Sequence, residues 1–207
     1  MLIRRVSAVG LSVFVLSVSS AAAADAPAVG VVAGANISSA QLAGVDATGL
    51  DASRQAGAFV GVFAVWPITG VVAIQPEIAY AQRRFSVKDT LSSFSATEKW
   101  DSLEVPILAR VNVWRASGHA VYVIGGPGFE FLVRAKEEAA GTTSDVKDSV
   151  RGVDVSLVIG AGVSMGRFGV EAQYDAGLRD LNRDNALGND LRVKSRTIRV
   201  DVTWAFR

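Results

Sequence analysis

Short and long connections alternate along this chain, and each joins two segments of alternating hydrophobicity. Tight turns fall at Trp66–Gly70, Arg115–His119 and Met165–Phe168. Long polar stretches separate the resulting hairpins, at Ser38 to Gln55, Arg84 to Ala96, Ala135 to Asp154 and Asn182 to Val193. An up-and-down series of strands with tight turns at one end and long loops at the other is typical of a transmembrane β-barrel.

The first two dozen residues have the composition of a cleavable export signal. Arg4 and Arg5 precede an apolar segment from Val6 to Val18, and the small residues Ala22, Ala23 and Ala24 follow it. An apolar segment this short, followed by a small-residue tract, indicates a secretory signal peptide rather than a membrane-anchoring helix. We therefore predict a signal peptide over residues 1–24 and a single folded domain over residues 25–207.

The composition excludes several classes of function. Removal of the signal peptide changes the formal charge from +1 to −1, and a near-neutral chain lacks the basic surface that nucleic-acid binding requires. The sequence contains no cysteine, so disulfides and thiolate metal sites are excluded. No apolar run after the signal is long enough for a transmembrane helix, and membrane insertion must therefore be through strands.

Period-two alternation predicts eight strands, because neighbouring residues of a strand face opposite sides. In the last strand Ile198, Val200 and Val202 face one way, whereas Arg199 and Asp201 face the other. Alternation of this kind predicts seven further strands, within residues 29–38, 57–66, 72–83, 102–113, 121–134, 153–165 and 168–178. The facing of the second strand stays open because it is rich in Gly, Ala and Val.

The polar face of these strands carries ionised side chains of both signs. Lys is nearly absent from this face, and the mixture of Glu, Arg, Gln, Ser and Gly suits a narrow interior in which carboxylates and guanidinium groups pair. We predict that the interior holds Glu77, Glu104, Arg110, Glu130, Arg134, Glu171, Asp175, Arg199 and Asp201. Side chains can fill an eight-stranded barrel, so these groups are predicted to form a structural plug rather than an ion path.

Aromatic residues predict where the membrane interfaces lie. Trp66, Trp114 and Trp204 fall beside tight turns, where an aromatic girdle belongs. The strand from Trp100 to Trp114 would climb roughly 30 Å, which places Trp100 at the opposite interface. The second girdle is predicted to contain Tyr80, Tyr174, Phe129 and Phe131. Eight strands place both termini at the tight-turn end, which we expect to be periplasmic, and the first and last strands must pair to close the barrel.

Three stretches, residues 103–114, 122–132 and 160–181, carry a family resemblance together with the aromatic-ended last strand Trp204–Phe206. From Val29 to Phe206 the chain resembles the porin-family (PorT-like) outer-membrane β-barrel proteins of the small OmpA/OmpX-type group. The resemblance implies an all-β, eight-stranded antiparallel up-and-down transmembrane barrel in the cell outer membrane of a Gram-negative bacterium. It also implies recognition by the barrel-assembly machinery through a terminal Phe, although Arg207 follows that residue here.

No residue pattern in the chain predicts catalysis or cofactor binding. His119 is the single histidine, and it lies at a tight turn, whereas a lipid-deacylating Ser-His-acid set would be needed at the outer-leaflet side. The Gly-rich segment 160–166 has Met165 where a dinucleotide-binding pattern has its third glycine, and no helix follows. The long loops lack EF-hand spacing. We therefore predict no enzyme, no catalytic residue, no cofactor and no metal site.

The leading hypothesis is an outer-membrane barrel with a structural or surface-interaction role, whose extracellular loops form the recognition surface. The loops at Arg134–Asp154 and Asn182–Asp190 are rich in charged and polar residues. The expected partners are outer-membrane lipids and lipopolysaccharide, the assembly machinery and an extracellular ligand, with the protein a monomer and no nucleic acid bound. The alternatives are a small diffusion pore, a lipid-modifying enzyme, and a soluble lipocalin-like barrel with an apolar interior.

Overall fold

The computed structural model describes residues 26–43, 50–89, 95–139, 142–147, 152–181 and 192–206. The predicted signal peptide, the loop residues 182–190, parts of the other long loops and Arg207 lie outside these ranges. The described strands are β1 (Ala28–Ala43), β2 (Leu50–Pro67), β3 (Val72–Asp89), β4 (Ser95–Ala116), β5 (His119–Ala139), β6 (Thr142–Asp145), β7 (Val153–Met165), β8 (Phe168–Gly177) and β9 (Arg192–Phe206). No helix within the described ranges is long and apolar enough to cross a membrane.

Among the described residues, eight strands close into an antiparallel barrel. Each strand pairs with its neighbour in the chain, apart from the short strand β6, which pairs only with the end of β5. β1 also pairs with β9, in a register that runs from Val29 opposite Phe206 to Ala43 opposite Arg192. The predicted eight-stranded barrel and the pairing of its first and last strands are confirmed, and β6 is an addition to the predicted set.

The outer face of the barrel is apolar and its inner face is polar, as the alternation predicts. In β9, Val200 and Val202 are 52% and 54% exposed, whereas Arg199 and Asp201 are 2% and 1% exposed. An apolar surface of this kind, continued around the closed wall, is the surface that lipid would cover.

The structure resolves the facing of β2, which the sequence leaves open. Phe59 and Phe63 are buried and face the interior, while Val60 and Val62 are exposed on the outer face. Phe59 and Phe63 pack there with Val32 of β1.

All three predicted tight turns are present. Ser117 and Gly118 both have positive φ, 46° and 83°, which is the signature of a type I′ hairpin turn. Gly166 has a φ of 62° at the first central position of its turn, as in type II′. In the first turn, the hydroxyl of Thr69 accepts a hydrogen bond from the backbone N–H of Val72 at 3.0 Å.

The tryptophans confirm one predicted interface and contradict another. Trp66 and Trp114 are 61% and 54% exposed at the tight-turn end, where Trp204 packs edge-on against Phe168 with ring centroids 4.2 Å apart. Trp100 was expected at the opposite interface, and this expectation is wrong. It occupies an inward position of β4 and is only 6% exposed. The second girdle does lie at outward positions, at Tyr80, Tyr174, Phe129 and Phe131.

The barrel wall continues beyond its apolar band at the long-loop end. Tyr80 and Leu103 are neighbours near the upper edge of this band. Above them, Arg84 lies opposite Lys99, which in turn lies opposite Lys136, and all three are exposed. We call this extension of β3, β4, β5 and β6 the rim.

Candidate functional site

The candidate site is the interior of the barrel and its two ends. Eight of the nine ionised residues predicted for the interior lie there: Glu77, Glu104, Arg110, Glu130, Glu171, Asp175, Arg199 and Asp201. Each sits at an inward position of its strand, which is why the period-two pattern identifies it.

The prediction for Arg134 is wrong, since its side chain is 61% exposed. The pairing of β5 with β4 shifts register between Leu132 and Arg134 and leaves Val133 without a partner on β4. This extra residue is a β-bulge, and it reverses the facing of the residues that follow. Ala135 is buried in the place that the alternation assigns to Arg134.

Arg83 is the centre of the largest ion-pair group. Its guanidinium lies 2.6 Å from Glu104, 2.9 Å from Glu130 and 3.5 Å from Asp175. These carboxylates belong to β4, β5 and β8, so one side chain of β3 connects strands on opposite sides of the barrel. The alternation of β3 places Arg83 on the inner face as the last residue of the predicted strand, but the sequence does not show that it is the centre of the ion pairs.

Glu104 joins Arg83 to a second buried arginine. Its Oε1 contacts Arg83, while its Oε2 lies 3.1 Å from Nη1 of Arg199. Arg199 also lies 3.6 Å from Glu77, and its guanidinium carbon is 4.0 Å from the ring centroid of Phe59. The lumen is therefore crossed by a continuous group of charged side chains, which we call the ionic plug.

A layer of hydrogen bonds lies next to the ionic plug, toward the tight-turn end. The Gln75 side-chain amide donates to Oε1 of Glu77 at 2.9 Å and to Oε1 of Glu171 at 3.1 Å. The Tyr122 hydroxyl also donates to Glu171, at 2.8 Å. Arg110 donates to Oε1 of Gln75 at 3.1 Å, and its guanidinium carbon lies 3.4 Å from the Tyr122 ring centroid.

Carboxylates outnumber guanidinium groups in this interior. The described inward acids are Glu77, Glu98, Glu104, Glu130, Asp154, Glu171, Asp175 and Asp201, and the inward arginines are Arg83, Arg110 and Arg199. Asp201 is buried, and neither of its carboxylate oxygens has a hydrogen-bond partner among the described residues. In the same part of the chain, no group of three or more His, Cys, Asp or Glu residues is arranged to hold a metal ion.

An apolar layer caps the ionic plug at the long-loop end. Trp100 packs there with Ala135, Leu181 and Val193, all of which are buried. The indole N–H of Trp100 donates to Oε2 of Glu98 at 2.9 Å. The cavity beside this layer measures only about 10 Å³. The inward tryptophan therefore helps to close the lumen.

The tight-turn end is open by comparison. A cavity of about 650 Å³ lies there, and we call it the vestibule. Its wall includes small inward side chains, at Ala73, Ala120, Ser164, Thr203 and Ala205. Arg110 lies at its inner end, and Arg115, Arg167 and His119 also line it. His119 is at the tight turn, as predicted, with its Nδ1 3.1 Å from the carbonyl oxygen of Ser117.

Comparisons with known proteins agree with this architecture. The family model described as an outer membrane protein beta-barrel domain matches residues 24–183. No curated protein matches the sequence significantly. The solved structure of the outer membrane protein OprG from Pseudomonas aeruginosa is 12% identical in sequence with a TM-score of 0.56, and the match covers 89% of this chain and 97% of that chain.

Two other solved structures match with lower TM-scores. The attachment invasion locus protein Ail of Yersinia pestis is 15% identical with a TM-score of 0.47, covering 86% of this chain and 98% of that chain. Neisserial surface protein A is 13% identical with a TM-score of 0.47, and the match covers 88% of this chain and 100% of that chain.

The family match and the closed wall confirm the predicted resemblance to small outer-membrane barrels. They also exclude the lipocalin-like alternative, because the charged side chains face inward and the apolar side chains face outward. This chain belongs to the outer-membrane β-barrel family, and it resides in the cell outer membrane.

Proposed function

We propose that this protein is a closed, non-enzymatic outer-membrane barrel whose long-loop end is an interaction surface. The observation that carries the proposal is the blocked lumen. Arg83, Glu104 and Arg199 cross it, and the Trp100 layer covers them at the long-loop end. Because this half of the interior offers no passage, the surface around it is the better candidate for function.

The rim supports the proposal because it extends far from the apolar band. β3 continues from Tyr80 to Asp89, and β4 begins at Ser95, before Leu103. A tilted strand climbs on the order of 2.3 Å per residue, so the rim projects about 20 Å beyond the apolar band. A hydrogen-bonded wall of this height holds its side chains in fixed positions, as a recognition surface requires.

The charge of the rim suits a polar partner. Lys99 forms an ion pair with Glu138, and Lys136 lies opposite Asp145 in the short strand β6. Mixed, exposed charges of this kind can contact phosphate and sugar groups of lipopolysaccharide or an external protein.

The remaining parts of the proposal concern topology and biogenesis. We place both termini on the periplasmic side, with cleavage after Ala24 and a mature barrel domain over residues 25–207. The pairing of Val29 with Phe206 supports this placement, since it puts the start of β1 and the end of β9 at the same end of the barrel. The barrel is inserted as a monomer by the barrel-assembly machinery, and membrane lipids cover its apolar face.

The surroundings of His119 support the part of the proposal that assigns the protein no enzymatic activity. The described residues that line the vestibule beside it include no Asp or Glu to orient its imidazole. We expect the purified protein to release no fatty acid from lipid A, and His119→Ala to behave as the wild type does in the same assay. A wild-type deacylating activity that is lost in His119→Ala would contradict this part of the proposal.

Planar-bilayer conductance tests the proposal directly. We expect the purified wild-type barrel to insert without a steady current, because the ionic plug and the Trp100 layer block the lumen. A stable open-channel current from the wild-type protein would overturn the proposal and favour a diffusion pore.

A small diffusion pore is the second candidate, and the vestibule favours it. The cavity of about 650 Å³ reaches Arg110 from the tight-turn end, so only part of the lumen is blocked. A pore would require Arg83 and Glu104 to separate. If Arg83 and Glu104 form a stable plug, Glu104→Ala should conduct more than the wild-type barrel. If the wild-type barrel already conducts, Arg83 and Glu104 separate without any substitution.

A further inference from the structure

The vestibule differs in charge from the rest of the lumen. Among the described residues that line it are Arg110, Arg115, Arg167 and His119, but no Asp or Glu. The layers beyond it are rich in carboxylates, as described above. Cations that converge on a concave wall of low dielectric reinforce one another's potential. The vestibule is therefore a positive compartment at the end of an acid-rich barrel.

Arg110 occupies an unusual position at the inner end of this compartment. Among the described residues, no carboxylate lies within 4.0 Å of its guanidinium, whereas Arg83 and Arg199 each contact at least two. Its contacts are with neutral groups, the amide oxygen of Gln75 and the ring of Tyr122. A guanidinium has five N–H donors, so these contacts leave donors for an oxyanion.

The dimensions of the vestibule suit a small solute. Its volume of about 650 Å³ falls within the range of ligand pockets, about 300–1,000 Å³. The wall combines apolar surface from Phe63 and Val65 with hydrogen-bonding groups from Asn112, Ser164 and Thr203. Such a mixture accommodates an organic anion with a short apolar part as well as a simple oxyanion.

The acid-rich layers beyond Arg110 close the inner end of the vestibule to anions. The carboxylates of Glu171 and Glu77 lie on the far side of Gln75, which binds both of them. An anion that reaches Arg110 therefore meets like charge if it moves further into the barrel. This arrangement favours binding over passage.

We propose that the vestibule binds the carboxylate or phosphate group of a small anionic solute, which enters from the tight-turn end and contacts Arg110. Arg115 and Arg167 attract the anion near the entrance. The site is independent of the rim and of the interaction proposed for it.

Nuclear magnetic resonance of arginine side chains tests the proposal. The mature chain, labelled with ¹⁵N-arginine, is held in non-ionic detergent micelles and titrated with sodium phosphate or with sodium hexanoate. Chloride replaces either anion at constant ionic strength in the reference titration. We expect a saturable shift of the Arg110 Nε–H signal with at least one of the two anions.

The two anions distinguish the sources of the ligand chemistry. A response to phosphate alone assigns the site to phosphate esters, a response to hexanoate alone assigns it to carboxylates, and a response to both assigns it to oxyanions in general. If neither anion shifts the Arg110 signal more than chloride does, the proposal is overturned.

Two pairs of variants keep the test specific. Arg110→Gln should weaken binding at least about tenfold, as followed by the Arg115 and Arg167 signals, whereas Arg134→Gln, on the exposed rim, should leave the affinity unchanged. Ser164→Asp introduces an acid into the lining and should abolish binding, while the uncharged Ser164→Asn should retain it. Equal affinity in Ser164→Asp and Ser164→Asn would overturn the proposal even if Arg110→Gln failed to fold.

Discussion

The two halves of the lumen share one strand pattern but differ in what fills them. In the long-loop half, inward positions hold Arg83, Glu104 and Trp100, and the cavity that lies beside Trp100 among the described residues measures about 10 Å³. In the tight-turn half, inward positions hold small residues such as Ala120 and Ser164, and a cavity of about 650 Å³ remains. The same eight strands enclose both halves.

This difference shows that the inward side chains, rather than the number of strands, decide whether the lumen of a small barrel is blocked. An eight-stranded wall leaves space that side chains are just able to fill. Where those side chains are long and paired across the lumen, the barrel is blocked. Where they are alanine, serine or threonine, water and small solutes have room.

The largest expected effect comes from opening the filled half. Glu104→Gln removes the carboxylate that makes the shortest ion-pair contact of both Arg83 and Arg199, at 2.6 Å and 3.1 Å. We expect it to lower the free energy of unfolding by about 3–5 kcal/mol, as for other broken buried ion pairs. Urea unfolding of the barrel in lipid vesicles measures this change.

Glu138→Gln is the matched control, because Glu138 pairs with Lys99 on the exposed rim. We expect this substitution to change the free energy of unfolding by less than about 1 kcal/mol. Similar losses from the two substitutions would contradict the distinction between the ionic plug and the surface.

Removing the apolar cap should have the next largest effect. Trp100→Ala leaves a cavity beside Leu181 and Val193, and we expect a loss of about 3 kcal/mol, the lower end of the range for buried tryptophan. The same urea unfolding experiment measures it. A negligible loss would mean that Trp100 does not pack inside the barrel.

A pair of identical substitutions compares the two halves directly. Ala79 is 1% exposed and packs with Phe59 and Phe63, so Ala79→Leu should overpack the filled region and cost about 1–3 kcal/mol. Ala120 lines the vestibule, where a leucine has room, and Ala120→Leu should cost less. Thermal unfolding of the two variants in the same detergent ranks their losses of stability. A larger loss in Ala120→Leu than in Ala79→Leu would contradict the difference between the two halves.

The smallest effect is expected at Arg134. Its side chain is exposed beyond the bulge, so Arg134→Gln should change the free energy of unfolding by less than about 0.5 kcal/mol. A loss comparable to that of Glu104→Gln, in the same urea titration, would place Arg134 inside the barrel and contradict the bulge.

Alternation alone predicted the facing of most strands, because a regular strand changes face at every residue. It identified Glu104, Glu171 and Arg199 as interior residues without any knowledge of their partners. It failed at Arg134, since an inserted residue such as Val133 cannot be seen in a hydrophobicity pattern.

Two other features of the interior depend on information that a strand pattern does not contain. In β2 small apolar residues occupy both faces, and the structure shows that Phe59 and Phe63 point inward. For Trp100, the preference of tryptophan for interfaces predicted an outer position, whereas its inward register and its bond to Glu98 hold it inside. The vestibule depends on the sizes of residues from several strands, which only the closed barrel brings together.

Cysteine labelling is the most direct test of a lumen that is open at one end and blocked at the other. The natural chain has no cysteine, so a single introduced thiol reports its own position without background. Ser164→Cys lies in the vestibule and Ser102→Cys lies beside the ionic plug, where the serine is 0% exposed. We expect a water-soluble maleimide to label the folded Ser164→Cys protein rapidly and the folded Ser102→Cys protein only after unfolding. Equally rapid labelling of both folded barrels would show a continuous water path and contradict the closed lumen.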